Sequence, residues 1–240
     1  MKKEERVKKI IEGIKKIPSG HITRLLYEAI PWKMRKYFDR KILCPEIKPI
    51  RDDMVVVGPA YTIGDAWLTL EMIKDERKEG HVIVVSSSGN QGTFIGALVC
   101  EIAKQDGAIG IVTDGYVTHK QNLLKKDFPV FCRGSAIKYS GYALTGDNFS
   151  TIVCGGVKVN PDDIIVGNAD GVMVFTIKEA EKLLEDSKPI LEITETLINK
   201  YMSKGIKYID APGVKEFWKH KANEDKNETD IYADWCSKNK

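Results

Sequence analysis

Long apolar runs, paired cysteines, low-complexity tracts and a strong charge excess are all missing from this 240-residue chain, and each absence removes a class of protein. No apolar run approaches the roughly 18 residues of a membrane-spanning helix. The N-terminal MKKEERVKKI lacks the hydrophobic centre of a secretory signal, so the expectation is a cytoplasmic protein with no membrane partner. The five cysteines, Cys44, Cys100, Cys132, Cys154 and Cys236, stand far apart, and no Cys-x-x-Cys pair offers a zinc or dithiol site. Such a scattered odd set fits reduced thiols, three of them inside apolar runs where burial accounts for them. The net charge is only +3, and seven of the 37 Lys and Arg but three of the 34 Asp and Glu fall in residues 1–16. The rest of the chain therefore holds 30 bases against 31 acids. Because Val7, Ile10, Ile11, Ile14 and Ile17 follow helical spacing, that basic excess reads as the solvated face of a packed helix, not as a nucleic-acid patch.

What is present is a 42% hydrophobic composition, enough for one sizeable core, arranged in alternating strand and helix patterns. After the first helix, IPSGHITRLLYEAIP predicts a turn and a second helix ending before Pro31. MVVVGPAYTI (54–63) reads as a strand broken at Gly-Pro, and DAWLTLEMIKDERKEG as a helix from an Asp65 cap to Gly80. A strand in HVIVVS, a helix over 93–106, and strands in AIGIVTDG and FPVFC follow. STIVCGGVKV, DIIVG and GVMVF then form three β-runs with NADG (168–171) as a hairpin turn, before a long helix from Thr176 to about Met202. Strand-helix-strand order around 82–112 implies a buried parallel pair, and the hairpins imply antiparallel strands, so the sheet is mixed.

Two loops carry candidate chemistry. GNQGTFIG sets Gly89, Gly92 and Gly96 between a strand and a helix, where unpaired N–H groups favour a carboxylate or phosphate. Its spacing is neither Gly-x-Gly-x-x-Gly nor a Walker loop. VTDGYVTH closes the next strand with Asp114-Gly115, a turn whose carboxylate commonly accepts backbone N–H bonds, and Thr118 and His119 lie just beyond. Both loops follow adjacent strands, so their ends should converge.

Together MVVVGPAYTI, GHVIVV, GALVCEIAKQDGAIGIVTDG, DFPVFCRG and VCGGVKVNPDDIIVGNADGVMVF resemble the regulator of ribonuclease activity A family, which includes the 4-hydroxy-4-methyl-2-oxoglutarate aldolases. The likeness covers about residues 20–185. It implies a compact α/β sandwich around a mixed β-sheet, with N-terminal helices in a core over 1–185 and a C-terminal helical extension and tail over 186–240. It also implies a homotrimeric ring, in some members paired into a hexamer, with sites between subunits. Catalytic members are divalent-metal-dependent aldolases or oxaloacetate decarboxylases acting on small 2-oxo acids; others regulate a ribonuclease as protein partners.

The family motif corresponding to DGYVTH ends in Arg-Asp, where Arg binds the pyruvyl carboxylate and Asp holds the metal or its water. Here those positions are Thr118 and His119. Thr118 supplies no cation for the enolate, while His119 offers a metal ligand of imidazole type, suited to Zn, Mn or Fe better than Mg. Ser86-Ser87-Ser88 replace an acidic strand end, and Thr23 and Arg24 stand near a missing acidic residue. What matches is the glycine loop, Gly89, Asn90, Gln91, Gly92 and Thr93, as a carboxylate cradle, and Arg133 of FCRG; Lys120 offers a substitute cation. The expected catalytic set is His119, Asp114 and Arg133, with Thr118 beside the substrate. Three functions are open: a metal-assisted aldolase or decarboxylase with an altered motif, a non-catalytic regulatory ring, and another reaction on a hydroxy or sugar acid.

Overall fold

The computed structural model describes residues 3–17, 41–64, 79–88, 92–138, 148–196, 200–211 and 214. The chain divides into two compact units, one of Met1–Lys15 with Arg40–Lys178, the other of Lys16–Asp39 with Glu179–Lys240. In the first unit the described elements run α1 (Lys3–Lys15), β1 (Lys48–Pro49), β2 (Val56–Ile63), β3 (Val82–Val85), β4 (Thr93–Ile95), α2 (Ala97–Gln105) and β5 (Gly110–Thr113). They continue through β6 (Tyr116–Val117), α3 (Lys120–Leu123), β7 (Val130–Cys132), β8 (Ile152–Cys154), β9 (Val157–Val159), β10 (Ile164–Asn168) and β11 (Gly171–Phe175). A further helix, α4, covers Ile177–Thr196, and short 3-10 turns at Met202–Lys204 and Tyr208–Asp210 follow. Residues 18–31 and 65–78, which make up nearly all of two expected helices, and the tail lie outside the described residues.

Seven strands form one mixed sheet in the order β1-β7-β5-β3-β2-β10-β11. β2, β3, β5 and β7 are parallel, whereas β1, β10 and β11 pair antiparallel. Strands covered on both faces need continuous apolar runs, which is why VIVV and GIVT are buried throughout. On one face Tyr61, Ile63, Ile83, Val85 and Ile111 meet Cys100 and Ala103 of α2 and Leu123 of α3. On the other, Ala60, Val82, Val84, Val112 and Phe131 meet Ile152, Cys154, Val157 and Val159 of the β8–β9 hairpin. Each such Val, Ile or Phe contributes about 1.5–3 kcal/mol by leaving water. The helix α1 lies against β2 through its apolar stripe, with Ile10 and Ile14 buried and Lys8, Lys9 and Lys15 exposed.

Three expectations need correction. Gly58-Pro59 does not break β2. The N–H and C=O of Ala60 both serve the β10 side, to Asp163 and Asp162, so the Pro59 nitrogen points toward β3, where pairing begins only at Ala60. No ladder bond is lost there. Residues 93–95 are strand β4, not the first turn of a helix; α2 begins at Ala97. STIVCGGVKV is two strands, because Gly155 and Gly156 take φ +54° and +81° and reverse the chain between β8 and β9. The NADG turn is present, with Asn168 opposite Gly171.

Candidate functional site

The chain segments that leave β3, β5 and β7 knit together above the sheet. β4 pairs in parallel with β6, Thr93 opposite Tyr116 and Ile95 opposite Val117. The N–H of Thr118 donates to the Ile95 carbonyl (2.9 Å), that of Val117 to Gly134 (2.9 Å), and that of Thr93 to Lys138 (2.8 Å). This is the carboxyl end of the parallel strands, where open α/β sheets place ligands.

His119 stands at the end of that ribbon. Its φ is +56°, a left-handed conformation that histidine tolerates better than most residues, and its carbonyl accepts the N–H groups of Asn122 (2.9 Å) and Leu123 (3.1 Å) as α3 begins. Gly96 explains where the imidazole goes. A Cβ at that position would lie 3.1 Å from His119 Nδ1 and 3.1 Å from Thr118 Cγ2, so the ring rests on a bare Cα. Gly96 is also the N-cap of α2 and makes no side-chain cap bond. Among the described residues, Cys100 is the first of α2 whose N–H is taken, by the Gly96 carbonyl (3.1 Å). The N–H groups of Ala97, Leu98 and Val99 therefore open the helix toward the surface that carries His119.

Asp114 is a second centre. It is buried, and its Oδ1 accepts the Ser87 N–H (2.6 Å) while Oδ2 accepts the Gly155 N–H (3.0 Å). Its carbonyl accepts Arg133 Nε (2.6 Å), and the Arg133 N–H donates to the Gly115 carbonyl (3.0 Å). One carboxylate thus joins the loop after β3, the β8–β9 turn and, through its own backbone, the segment after β7. Ser86 Oγ adds a bond to the Val153 carbonyl (2.7 Å), and the Cys44 N–H donates to the Gly155 carbonyl (2.9 Å). Burial pushes the Cys44 thiol up, with Arg133 opposing and Glu46 and Asp114 reinforcing it. The carboxyl of Glu46 is held low by its own backbone N–H first, then by Cys44, with the Arg133 charge adding to both. Burial likewise drives the Cys154 thiol far above its ordinary value, and Asp114 adds to that effect.

The residues named from sequence thus fall into two groups: Thr118 and His119 beside Gly96, and Asp114 with Arg133. Among the described residues no hydrogen bond or ion pair joins Arg133 to His119. Gly89, Asn90 and Gln91 lie outside the described residues. Gly92 and Thr93 are buried, the Thr93 N–H is already spent on Lys138, and the helix start lies four residues later than the cradle reading required. Lys120 is exposed at the start of α3. Sequence reasoning does not single out Glu46 and Gly155; it names Ser87 only within the serine run, Cys44 only as a scattered thiol and Gly96 only as a loop glycine, not as the seat of an imidazole.

A divalent ion finds few donors here. Both Asp114 oxygens already take backbone N–H groups, and His119 offers a single imidazole. Among the described residues no three His, Cys, Asp or Glu side chains are grouped to hold one. The described donor set does not fit a divalent metal.

Residues 23–174 match the RraA-like family, Aldolase/RraA. The protein named "Putative 4-hydroxy-4-methyl-2-oxoglutarate aldolase" of Halalkalibacterium halodurans is 37% identical over 151 residues, 61% of this chain and 71% of the relative. Two crystal structures share the fold. An uncharacterized protein from Pseudomonas syringae pv. tomato superposes with a TM-score of 0.69 at 19% identity, over 84% of this chain and 95% of that one. RraAS2 of Streptomyces coelicolor, described as an unusual member of the RNase ES inhibitor RraA protein family, gives 0.64 at 20% identity, over 78% and 94%. No helix among the described residues is long and apolar enough to cross a membrane.

Proposed function

The chain belongs to the RraA-like family, and from that premise we propose that it binds a small 2-oxo acid at the mouth of α2 and acts on it as an aldolase or decarboxylase with an altered motif. The observation that carries this reading is His119 seated on Gly96, at a helix start with open N–H groups. Cleavage of a 4-hydroxy-2-oxo acid breaks the C3–C4 bond and leaves the electron pair as an enolate on the pyruvyl fragment. The N–H groups of Ala97 to Val99 and the positive end of α2 face that charge. His119 takes the 4-hydroxyl proton as the bond breaks and returns a proton to C3. Thr118 contributes one neutral hydrogen bond where an Arg would clamp the carboxylate with two, Arg133 adds long-range positive charge, and Asp114 holds the surrounding loops. The same reading takes the protein as cytoplasmic and as a ring-forming homo-oligomer, trimer or hexamer, with residues 186–240 as an extension of the family core.

The test is pyruvate release from oxaloacetate and from 4-hydroxy-2-oxo acids, with metal analysis of the purified protein and assays with added divalent ion or chelator. His119→Ala should lower kcat/KM by about 10²–10⁴-fold, as loss of a general acid–base does. Absence of release from every 2-oxo acid, together with no thermal shift on adding pyruvate or oxalate, refutes the reading. A second reading, a non-catalytic regulatory ring with a protein partner, is favoured by the saturated Asp114 carboxylate and by the uncharged Thr118. It predicts that same silent assay.

A further inference from the structure

The helix α1 precedes the family-matched residues 23–174, and beside it runs a groove of about 600 Å³. The groove is lined by Val7 and Ile11 of α1 and by Pro59 and Phe149, and one end carries His81 and Asp162. There Lys3 Nζ donates to Asp162 Oδ2 (2.7 Å), and His81 Nε2 lies 3.3 Å from Asp162 Oδ1. Two of the four described non-glycine residues with left-handed backbones, Phe149 (φ +55°) and Asp162 (φ +65°), belong to this surface. A bulky residue in that region is a genuine outlier, and such strain concentrates where surfaces bind.

The outer rim of the groove is a charge ladder. Glu4, Lys8, Glu12 and Lys15 line it in alternating sign, all exposed. At spacings of four, four and three these charges could pair along the helix. They do not: among the described residues none of the four has a partner, while Lys3 on the same helix pairs with Asp162. Reversed and laid against itself, the ladder matches. About a two-fold centred between residues 9 and 10, Glu4 comes level with Lys15, Lys8 within one residue of Glu12, and Val7 within one residue of Ile11. A surface complementary to its own reverse is what a two-fold interface requires.

We propose that a second copy of this chain docks α1 against α1 in antiparallel fashion across a two-fold axis, with the apolar side chains of each helix entering the partner's groove and the four charges pairing across the seam. The site at α2 takes no part, so this inference stands or falls separately from the proposed chemistry.

The experiment uses the full chain and three proteins: wild type, E4K/E12K, and K8E/K15E. Because the four residues are exposed and unpartnered, each variant should keep the wild-type circular dichroism spectrum. Sedimentation velocity at about 50 mM salt, where exposed charges are weakly screened, should give wild type twice the mass of either variant. Mixing the two variants should restore the doubled mass, because each ladder then meets its complement. The mixed species should dissociate at about 1 M salt more readily than at about 50 mM. Equal masses for wild type and both variants, a doubled mass that survives in the separate variants, or a mixture that fails to double overturns the proposal.

Discussion

Replacing Asp114 by Asn changes one oxygen to an NH2 group and leaves the side-chain volume unchanged, so the consequence can be worked from two bonds. The Ser87 N–H (2.6 Å) and the Gly155 N–H (3.0 Å) both donate to the carboxylate. An Asn oxygen can keep one of them, but its NH2 must then face the other donor. Losing one charge-assisted bond and leaving a buried N–H opposed costs about 2–4 kcal/mol. Asp114→Ala loses both and should cost about 3–6 kcal/mol by the same reasoning. For a chain of this size about 2–4 °C of midpoint accompanies each kcal/mol, which gives roughly 4–16 °C for Asp114→Asn. Thermal and urea unfolding followed by circular dichroism measure both variants. The Arg133 Nε bond to the Asp114 carbonyl is a backbone contact and should survive in each. An Asn variant within about 1 kcal/mol of wild type, or one equal to Ala, would refute the claim that this carboxylate binds the loops together.

Two further outcomes follow from the titrating groups. Burial works to raise the Asp162 carboxyl, but Lys3 and His81 outweigh it and hold it below its ordinary value. Because the folded value is depressed, the contribution is complete above the unfolded pKa near 4 and fades as pH falls through the folded value. Urea titrations of wild type and Asp162→Asn should differ by up to about 1 kcal/mol at pH 6 and converge toward pH 2; a gap that widens in acid contradicts this. Burial pushes the Cys100 thiol up to about 12, and the Cys132 thiol also upward. In native protein at neutral pH, peptide mapping after iodoacetamide should find Cys100 labelled roughly a thousandfold more slowly than in urea; comparable rates would mean that its helix opens.

The strands were legible because apolar runs such as VIVV and GVMVF are buried whatever their neighbours, so local pattern and tertiary fate agree. β4 was not, since three residues next to a helical pattern become strand only when Tyr116 and Val117 arrive beside them. The Gly155-Gly156 reversal was readable in principle from the dipeptide, yet the apolar residues on either side masked it. The candidate site shows the same divide. Thr118 and His119 could be singled out by motif, and the Asp114-Gly115 turn by its chemistry. The donors that saturate Asp114 come from 27 and 41 residues away in sequence, and no local pattern announces them. Nor could spacing say that Gly96 is the seat of an imidazole.

The two-residue strand β1 has a consequence for how the sheet ends. The Ile50 N–H bonds the Val130 carbonyl (3.0 Å), and because successive N–H groups alternate sides, positions 47 and 49 face away from β7. Pro49 has no N–H to offer, and that of Ile47 is spent on the Cys44 carbonyl (3.0 Å). An incoming foreign strand would find no backbone donor at either place, so this margin of the sheet cannot template its own extension. At this margin, one imino acid and one local turn remove the two donors that an eighth strand would need.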